Sequence, residues 1–218
     1  MPLRSLYPDE DFRNVRKPLR DGFTALVNLE ELVSVRDELY LNVDERGREE
    51  AEIWATCWPK LRRLSLYNVD LNLDTGFLEH LAGVPLLESV VFTRPDGLYE
   101  WYDPTTWRMP YSAIDIKAAW LDALSANAYN GGLKRRKDLS IMFVSMPEQI
   151  PIFDEHEESW EKIDPEGLIC VKFAGALAPS SPLFEQTRGV QDFVRGLALD
   201  GTLFDANMGE RMDLHTIY

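Results

Sequence analysis

The nonapeptide WPKLRRLSL, residues 58–66, places Leu61, Leu64 and Leu66 among polar residues. Its last four residues alternate polar and apolar side chains, which is typical of a strand that buries one face. A segment with helical periodicity and a short turn come before it. Neither a helix nor a strand of this kind can bury its apolar face alone, so the pattern predicts units that stack on one another.

Two other stretches repeat the pattern of residues 58–66. Residues 84–92, VPLLESVVF, have leucine, valine and phenylalanine at the same three positions, and residues 26–35, LVNLEELVSV, keep the first two leucines but have Ser34 at the third. The first apolar positions of the three copies are 32 and 26 residues apart. Leucine-rich repeats have a period of about 20–29 residues, and their units form a parallel sheet. The sequence therefore predicts an α/β fold, an irregular leucine-rich-repeat-like stack with a parallel sheet on one face and helices on the other.

The other segments predict further helices and strands. Helical spacing of apolar residues occurs at residues 49–57, 75–82 and 112–130, and in a last helix that carries Val190, Phe193, Val194 and Leu197 on one face. We expect that last helix to cap the final strand. Apolar runs at residues 139–144 and 168–173 predict two more strands, while the acidic residues 147–165 between them, interrupted by prolines, read as a loop.

These elements fit a single domain of residues 1–218. Its parts are repeat units clearest at 23–93, an aromatic insertion at 94–111, further strand and helix units at 112–200, and a tail at 201–218.

Two segments carry a resemblance to a known family: residues 28–32, Asn-Leu-Glu-Glu-Leu, and the 58–66 stretch. Together they resemble the divergent leucine-rich-repeat region of fungal F-box-like proteins. The resemblance covers residues 26–93 and implies a non-enzymatic protein-interaction scaffold, such as a substrate-receptor-like module. We expect no F-box before the first repeat, and Val69 and Pro95 stand where the repeat signature has Asn or Cys. The resemblance therefore leaves membership of a ubiquitin ligase open.

The composition excludes several function classes. The chain has 23 Lys and Arg against 37 Asp and Glu, and its net charge of −14 repels nucleic acid and anionic membranes. The basic cluster at residues 134–137 reads as a solvated approach to a strand. No apolar run is long enough to span a membrane and residues 1–11 lack the apolar core of a signal peptide, which favours a cytoplasmic or nuclear protein. Cys57 and Cys170 lie among apolar residues and read as small buried hydrophobes.

Three patterns could carry chemistry, and each also has a structural reading. Residues 199–205, LDGTLFD, resemble a phosphatase signature, but Ala198 stands where the nucleophilic aspartate is needed, so Asp200-Gly201 reads as a helix-ending turn. Residues 154–158, DEHEE, offer metal-ligand types, but five consecutive residues cannot converge on one ion, which favours a solvated acidic loop. His80 and His215 have no nucleophile or carboxylate partner in sequence.

We therefore predict no catalytic residue, no metal site and no cofactor. The alternative is a small α/β hydrolase or transferase that uses Asp154, Glu155 and His156, or Asp200, beside the aromatic insertion. A third possibility is a chain for which folding is the only selected property.

Two surfaces are candidates for binding a protein partner, whose identity the sequence does not define, as it does not define the oligomeric state. The first is the open face of the sheet, where the candidates are Arg62, Arg63, Ser65, Tyr67, Glu88, Val91 and Thr93. The second is the aromatic insertion, where they are Tyr99, Trp101, Tyr102 and Trp107. Each set also fits a structural role, as a solvated sheet face or as a cover for the core.

Overall fold

The computed structural model describes residues 14–36, 57–69, 71, 76–97, 114–129, 139–145, 154–175 and 183–205. The helices are α1 (Arg16–Thr24), α2 (Phe77–Ala82), α3 (Ile116–Tyr129), α4 (Asp154–Ile163) and α5 (Leu183–Leu199). The strands are β1 (Glu31–Val33), β2 (Arg63–Tyr67), β3 (Ser89–Thr93), β4 (Leu139–Ser145) and β5 (Ile169–Gly175).

The five strands form one parallel sheet in the order β1-β2-β3-β4-β5, so each strand pairs with its neighbour in sequence. Between β2 and β3, Leu64 pairs with Val90 and Leu66 pairs with Phe92. These are the apolar positions that the two sequence stretches share. The predicted α/β class with a parallel sheet, and the adjacency of these two strands, are therefore confirmed.

An equivalent pair of backbone hydrogen bonds joins each of the first two strands, near its start, to the next strand. The carbonyl of Glu30 accepts from the amides of Arg62 and Arg63, at 2.9 and 3.1 Å. One strand later, the carbonyl of Arg62 accepts from the amides of Glu88 and Ser89, at 2.7 and 3.1 Å. The contact between β1 and β2 is thus repeated between β2 and β3.

One side of the sheet, the helical face, carries the main core. Alternate strand residues point to this side, and they pack with helix and turn residues; the fully buried members include Leu64, Val90, Phe92, Ile141, Trp58, Leu81, Ile116 and Trp120. The rings of Phe92 and Phe143 lie 5.6 Å apart between centroids, and those of Phe143 and Phe173 lie 5.3 Å apart. The aromatic contacts continue from one strand to the next.

The opposite side of the sheet, the second face, is partly covered by α5. Val190 and Val194 of this helix are fully buried with Val91 and Val144 of the strands and with Leu203 after the helix. The predicted apolar face of the last helix is therefore confirmed. The expectation that all helices lie on one side is wrong, because α5 packs on the second face over β3 and β4, where its buried cluster also includes Ala174 of the final strand.

Helix α1 lies before the first repeat unit, where the sequence pattern predicted no helix. Leu19 and Phe23 of α1 pack against the core of the helical face, and the indole of Trp58 donates to the Phe23 carbonyl at 2.8 Å. The two apolar residues are four apart, on one side of a short helix. This contact fixes α1 to the turn before β2.

Other sequence predictions differ in their outcome. The helix predicted at 112–130 and the strands at 139–144 and 168–173 are confirmed by α3, β4 and β5, and the helix at 75–82 by α2. The loop reading of residues 147–165 is wrong for 154–163, which form α4. The helix predicted at 49–57 lies outside the described residues except for Cys57.

Candidate interaction face

The second face and its edges divide into three parts. At the N-terminal ends of β1–β3 lies the charged margin, made of Glu30, Glu31, Arg62, Arg63 and Glu88. The covered centre is the apolar part beneath α5. At the C-terminal ends of β2 and β3 lies the polar corner, made of Ser65, Tyr67, Thr93 and Arg94.

The charged margin is held by ion pairs between neighbouring strands. Arg63 contacts Glu31 at 2.7 Å, and Arg62 donates to both carboxylate oxygens of Glu88, through Nε at 3.1 Å and through Nη2. The hydrogen bond and the charge of Glu88 raise the pKa of the Arg62 guanidinium, and Glu30 adds to this shift. These side chains are about half exposed, with 51% for Arg62 and 53% for Glu88. Exposed pairs contribute little stability in water, so the margin presents charges of both signs to solvent.

The polar corner combines buried hydroxyl groups with a half-buried arginine. Ser65 and Thr93 are fully buried, and neither Ser65 Oγ nor Thr93 Oγ1 has a hydrogen-bond partner among the described residues. Arg94 donates from Nη1 to the hydroxyl of Tyr67 at 3.2 Å, while its buried Nε has no partner in the same part of the chain. A buried donor or acceptor without a partner destabilises the fold by about 1–3 kcal/mol.

The backbone just after β2 and β3 is left-handed at equivalent positions. Asn68 has a φ of 53° and Arg94 a φ of 48°. Both amides still extend the ladder, since Asn68 donates to the Thr93 carbonyl and Arg94 to the Val144 carbonyl, each at 2.8 Å. Asparagine tolerates this conformation, but arginine is strained in it. The turn redirects the Arg94 side chain to Tyr67.

The predicted open face is therefore wrong for three of its residues. Ser65, Val91 and Thr93 are all fully buried, and Val91 is buried because α5 and the turn after it pack on this side of the sheet. Arg62, Arg63 and Glu88 are exposed, as expected, and Tyr67 is half-buried. Whether these residues contact a partner stays a prediction. The aromatic candidates Tyr99, Trp101, Tyr102 and Trp107 lie outside the described residues.

Arg94 is the residue of this face that sequence reasoning missed, because it was assigned to the start of the aromatic insertion. The signal was its alignment with Asn68, one position beyond the paired residues Tyr67 and Thr93. An asparagine after a strand suggests a left-handed turn, and the repeat alignment extends that turn to Arg94.

A buried ion pair lies on the other side of the sheet, between α3 and the start of β5. Lys117 Nζ contacts Asp164 Oδ2 at 2.9 Å, and the side chains are only 9% and 2% exposed. The Asp164 carboxylate also accepts from the amides of Leu168 and Ile169, each at 2.9 Å, and Lys117 lies 5.6 Å from the ring centroid of Trp160. The Lys117 ammonium and the Asp164 carboxylate both have partners, as expected for an ion pair that acts as a structural brace between α3 and the start of β5.

The pKa of Asp164 reflects that environment. Burial acts to raise the pKa of the carboxyl group, but the hydrogen bonds from Lys117 and from the Ile169 and Leu168 amides, together with the lysine charge, outweigh it. The resulting pKa lies below the usual value. Asp164 therefore stays ionised at neutral pH and suits a structural role rather than proton transfer.

The two sequence segments that resemble catalytic or metal-binding motifs lie at the ends of helices. Asp200 and Gly201 end α5, where the Asp200 amide donates to the Gly196 carbonyl and Gly201 has a φ of 71°, which confirms the helix-ending turn. The backbone of Asp154–Glu158 begins α4 instead of forming a loop, but these side chains lie outside the described residues. In the described part of the chain, no group of three His, Cys, Asp or Glu residues could hold a metal ion.

The remaining candidates are two cysteines, two histidines and the basic cluster. Cys57 is half-buried, but the expectation of burial is wrong for Cys170, which is exposed on β5. Its side chain follows the alternation of the strand toward the second face, beyond the cover of α5. His80 is half-buried on α2, while His215 and residues 134–137 lie outside the described residues.

Comparisons with known proteins give no match: no family model fits the chain, and no curated protein or solved structure is similar to it. Among the described helices, none combines the length and apolar character needed to cross a membrane.

Proposed function

We propose that this chain is a non-enzymatic protein-interaction scaffold of leucine-rich-repeat type, with a substrate-receptor-like role. The supporting observation is the repeated contact between successive strands, where the carbonyls of Glu30 and Arg62 each accept from two consecutive amides of the next unit. Repeat proteins stack their units in this way and use the extended surface that results to bind partners. The left-handed residues Asn68 and Arg94 also recur at equivalent positions.

The charged margin is the part of the predicted sheet surface that fits a contact role. Its residues come from three successive strands, they are exposed, and they alternate in sign across the strands, with Glu31 beside Arg63 and Arg62 beside Glu88. A partner with the complementary arrangement of charges gains specificity and a faster encounter. The centre of the second face is covered by α5, whereas the charged margin stays exposed, which supports the margin as the contact surface.

The environments of the ionisable groups favour binding over catalysis. An enzyme brings acids, bases or metal ligands together in a cleft with shifted pKa values. Here the two described groups with a shifted pKa are Asp164, buried in a satisfied ion pair, and Arg62, which is paired on the surface. Neither has a free partner group for proton transfer.

A charge-swap experiment tests this function. In the double variant Arg62→Glu with Glu88→Arg, the ion pair within the protein is kept but its polarity is reversed. The matched control is Lys17→Glu with Asp21→Lys, which reverses another exposed pair, on α1, whose atoms lie 3.0 Å apart. Both variants should keep the wild-type unfolding free energy.

In affinity capture from the source cell followed by binding measurements with the captured protein, the margin swap should abolish binding and the α1 swap should leave it unchanged. Equal binding by all three proteins would exclude the charged margin as the contact surface. Turnover of a substrate by the wild-type chain would contradict the non-enzymatic proposal.

A further inference from the structure

We propose that the polar corner binds a single oxyanion, a carboxylate or phosphate group, through the Arg94 guanidinium and the hydroxyls of Thr93 and Ser65. The arginine is the first reason. It has a buried Nε without a partner among the described residues, and no described acidic side chain forms an ion pair with it. A guanidinium presents donors in a planar fork that matches carboxylate and phosphate oxygens.

The hydroxyl groups are the second reason. Ser65 Oγ and Thr93 Oγ1 are both buried without a partner in the described part of the chain, and they lie on the same face of adjacent strands. The register pairs Thr93 with Tyr67, which is two residues after Ser65. A hydroxyl can donate to an anion, so one bound oxyanion would satisfy groups from both strands and the arginine together.

The corner is also preorganised for an anion. The left-handed φ of 48° at Arg94 turns its side chain back, and the hydroxyl of Tyr67 holds Nη1 at 3.2 Å, which leaves Nε for another acceptor. Arg94 and Tyr67 are half-buried and form the rim, while Ser65 and Thr93 lie deeper. The C-terminal ends of parallel strands are where α/β sheets commonly bind ligands.

The charge of the chain limits the ligand to a small one. A net charge of −14 disfavours a polyanion such as nucleic acid. One carboxylate or phosphate at a single arginine needs only local complementarity. This site is separate from the charged margin, at the opposite ends of β2 and β3, so it does not depend on the function proposed above.

The test uses the full chain, titrated with inorganic phosphate or with acetate at constant ionic strength set by sodium chloride. The readout is the NMR signal of the Arg94 Nε–H group, assigned by its loss in Arg94→Gln. We expect a saturable shift of this signal with at least one of the two anions, and the stronger response identifies phosphate or carboxylate as the preferred group.

Two variants and a control separate binding from folding. Arg94→Gln and the isosteric Thr93→Val should each weaken the anion affinity by about tenfold, the effect of losing a charge-assisted or buried hydrogen bond. Since Arg94→Gln removes the reporter signal, its affinity is measured by calorimetry. Arg188→Gln, at an exposed arginine of α5, should change the affinity by less than about twofold. A response to both anions no larger than that to chloride, or equal losses in Arg188→Gln and Thr93→Val, would overturn the proposal.

Discussion

The two faces of the sheet bury polar groups in different ways. Beside the helical face, the buried Lys117 and Asp164 are paired and hydrogen-bonded. On the second face, the hydroxyls of Ser65 and Thr93 are buried without partners in the described structure. The indole Nε1 of Trp120 is an exception on the helical side.

This difference distinguishes buried polar groups that stabilise the fold from buried polar groups that suit another role. A satisfied ion pair beside an apolar core holds the fold together, because loss of either partner would leave an uncompensated buried charge. Unpartnered hydroxyls lower stability and are retained where another role requires them. From this comparison we propose that the helical face serves mainly folding and the second face mainly binding.

The largest effect should follow from a change in the helical face. Phe92 is fully buried, and its ring packs against the rings of Phe77 and Phe143 with centroids 6.3 and 5.6 Å away. Phe92→Ala should lower the free energy of unfolding by about 3–5 kcal/mol, because it removes apolar contacts and leaves a cavity. Urea denaturation measures this loss. Leu199→Ala, at a residue 75% exposed, is the control and should change the free energy by less than about 0.5 kcal/mol. A loss below about 1 kcal/mol for Phe92→Ala would break the assignment of folding to this face.

The buried ion pair should give the next largest effect. Lys117→Met removes one partner and leaves the Asp164 carboxylate buried without its counter-ion, so the free energy of unfolding should fall by about 3 kcal/mol. Lys162→Met, at an exposed position of α4, is the matched control and should have little effect. If the two variants have equal stability, the pair is not the brace described above.

The same pair predicts a dependence of stability on pH. Because the pKa of Asp164 is lower in the folded than in the unfolded protein, its stabilising contribution is complete above about pH 4 and is lost as the pH falls through the folded value. The free energy of unfolding should therefore decrease below about pH 4, and less steeply in Lys117→Met than in the wild type. Parallel curves for the two proteins would contradict the role of Lys117 in lowering this pKa.

A smaller effect is expected from the cover of the second face. Val194→Ala removes two methyl groups from the contact of α5 with the sheet and should lower the free energy of unfolding by about 2 kcal/mol. In hydrogen exchange, the amides of α5 should lose more protection than those of β3, since the helix can open locally. The exposed Arg195→Ala is the control. Equal loss of protection in α5 and β3 would show that the two faces do not act separately.

The sequence predicted the helical face well because its signal is local. The leucines of residues 58–66 and their counterparts in 84–92 lie on one side of short strands, and the similar spacing of the two stretches predicts their pairing. By contrast, Val190 and Val194 indicate that α5 packs on something but not on which side of the sheet. That choice depends on tertiary packing.

The polar corner and the ion pair could not be predicted for related reasons. The corner needs the register between Tyr67 and Thr93 and the left-handed backbone at Arg94, which an arginine does not favour. The pair joins Lys117 to Asp164 across two helices and a strand. The residues of each contact are far apart in sequence, at spacings that match neither the helix nor the strand period. No sequence pattern therefore marks these contacts.

The most direct test of the difference between the faces is the free energy of unfolding of Thr93→Val, compared with Thr93→Ser. Valine keeps the shape of threonine and removes the unpartnered hydroxyl, whereas serine keeps the hydroxyl and removes a methyl group. We expect Thr93→Val to be more stable than the wild type by about 1 kcal/mol and Thr93→Ser to be less stable. A loss of stability in Thr93→Val would mean that the hydroxyl stabilises the folded chain, and would contradict the assignment of the second face to binding.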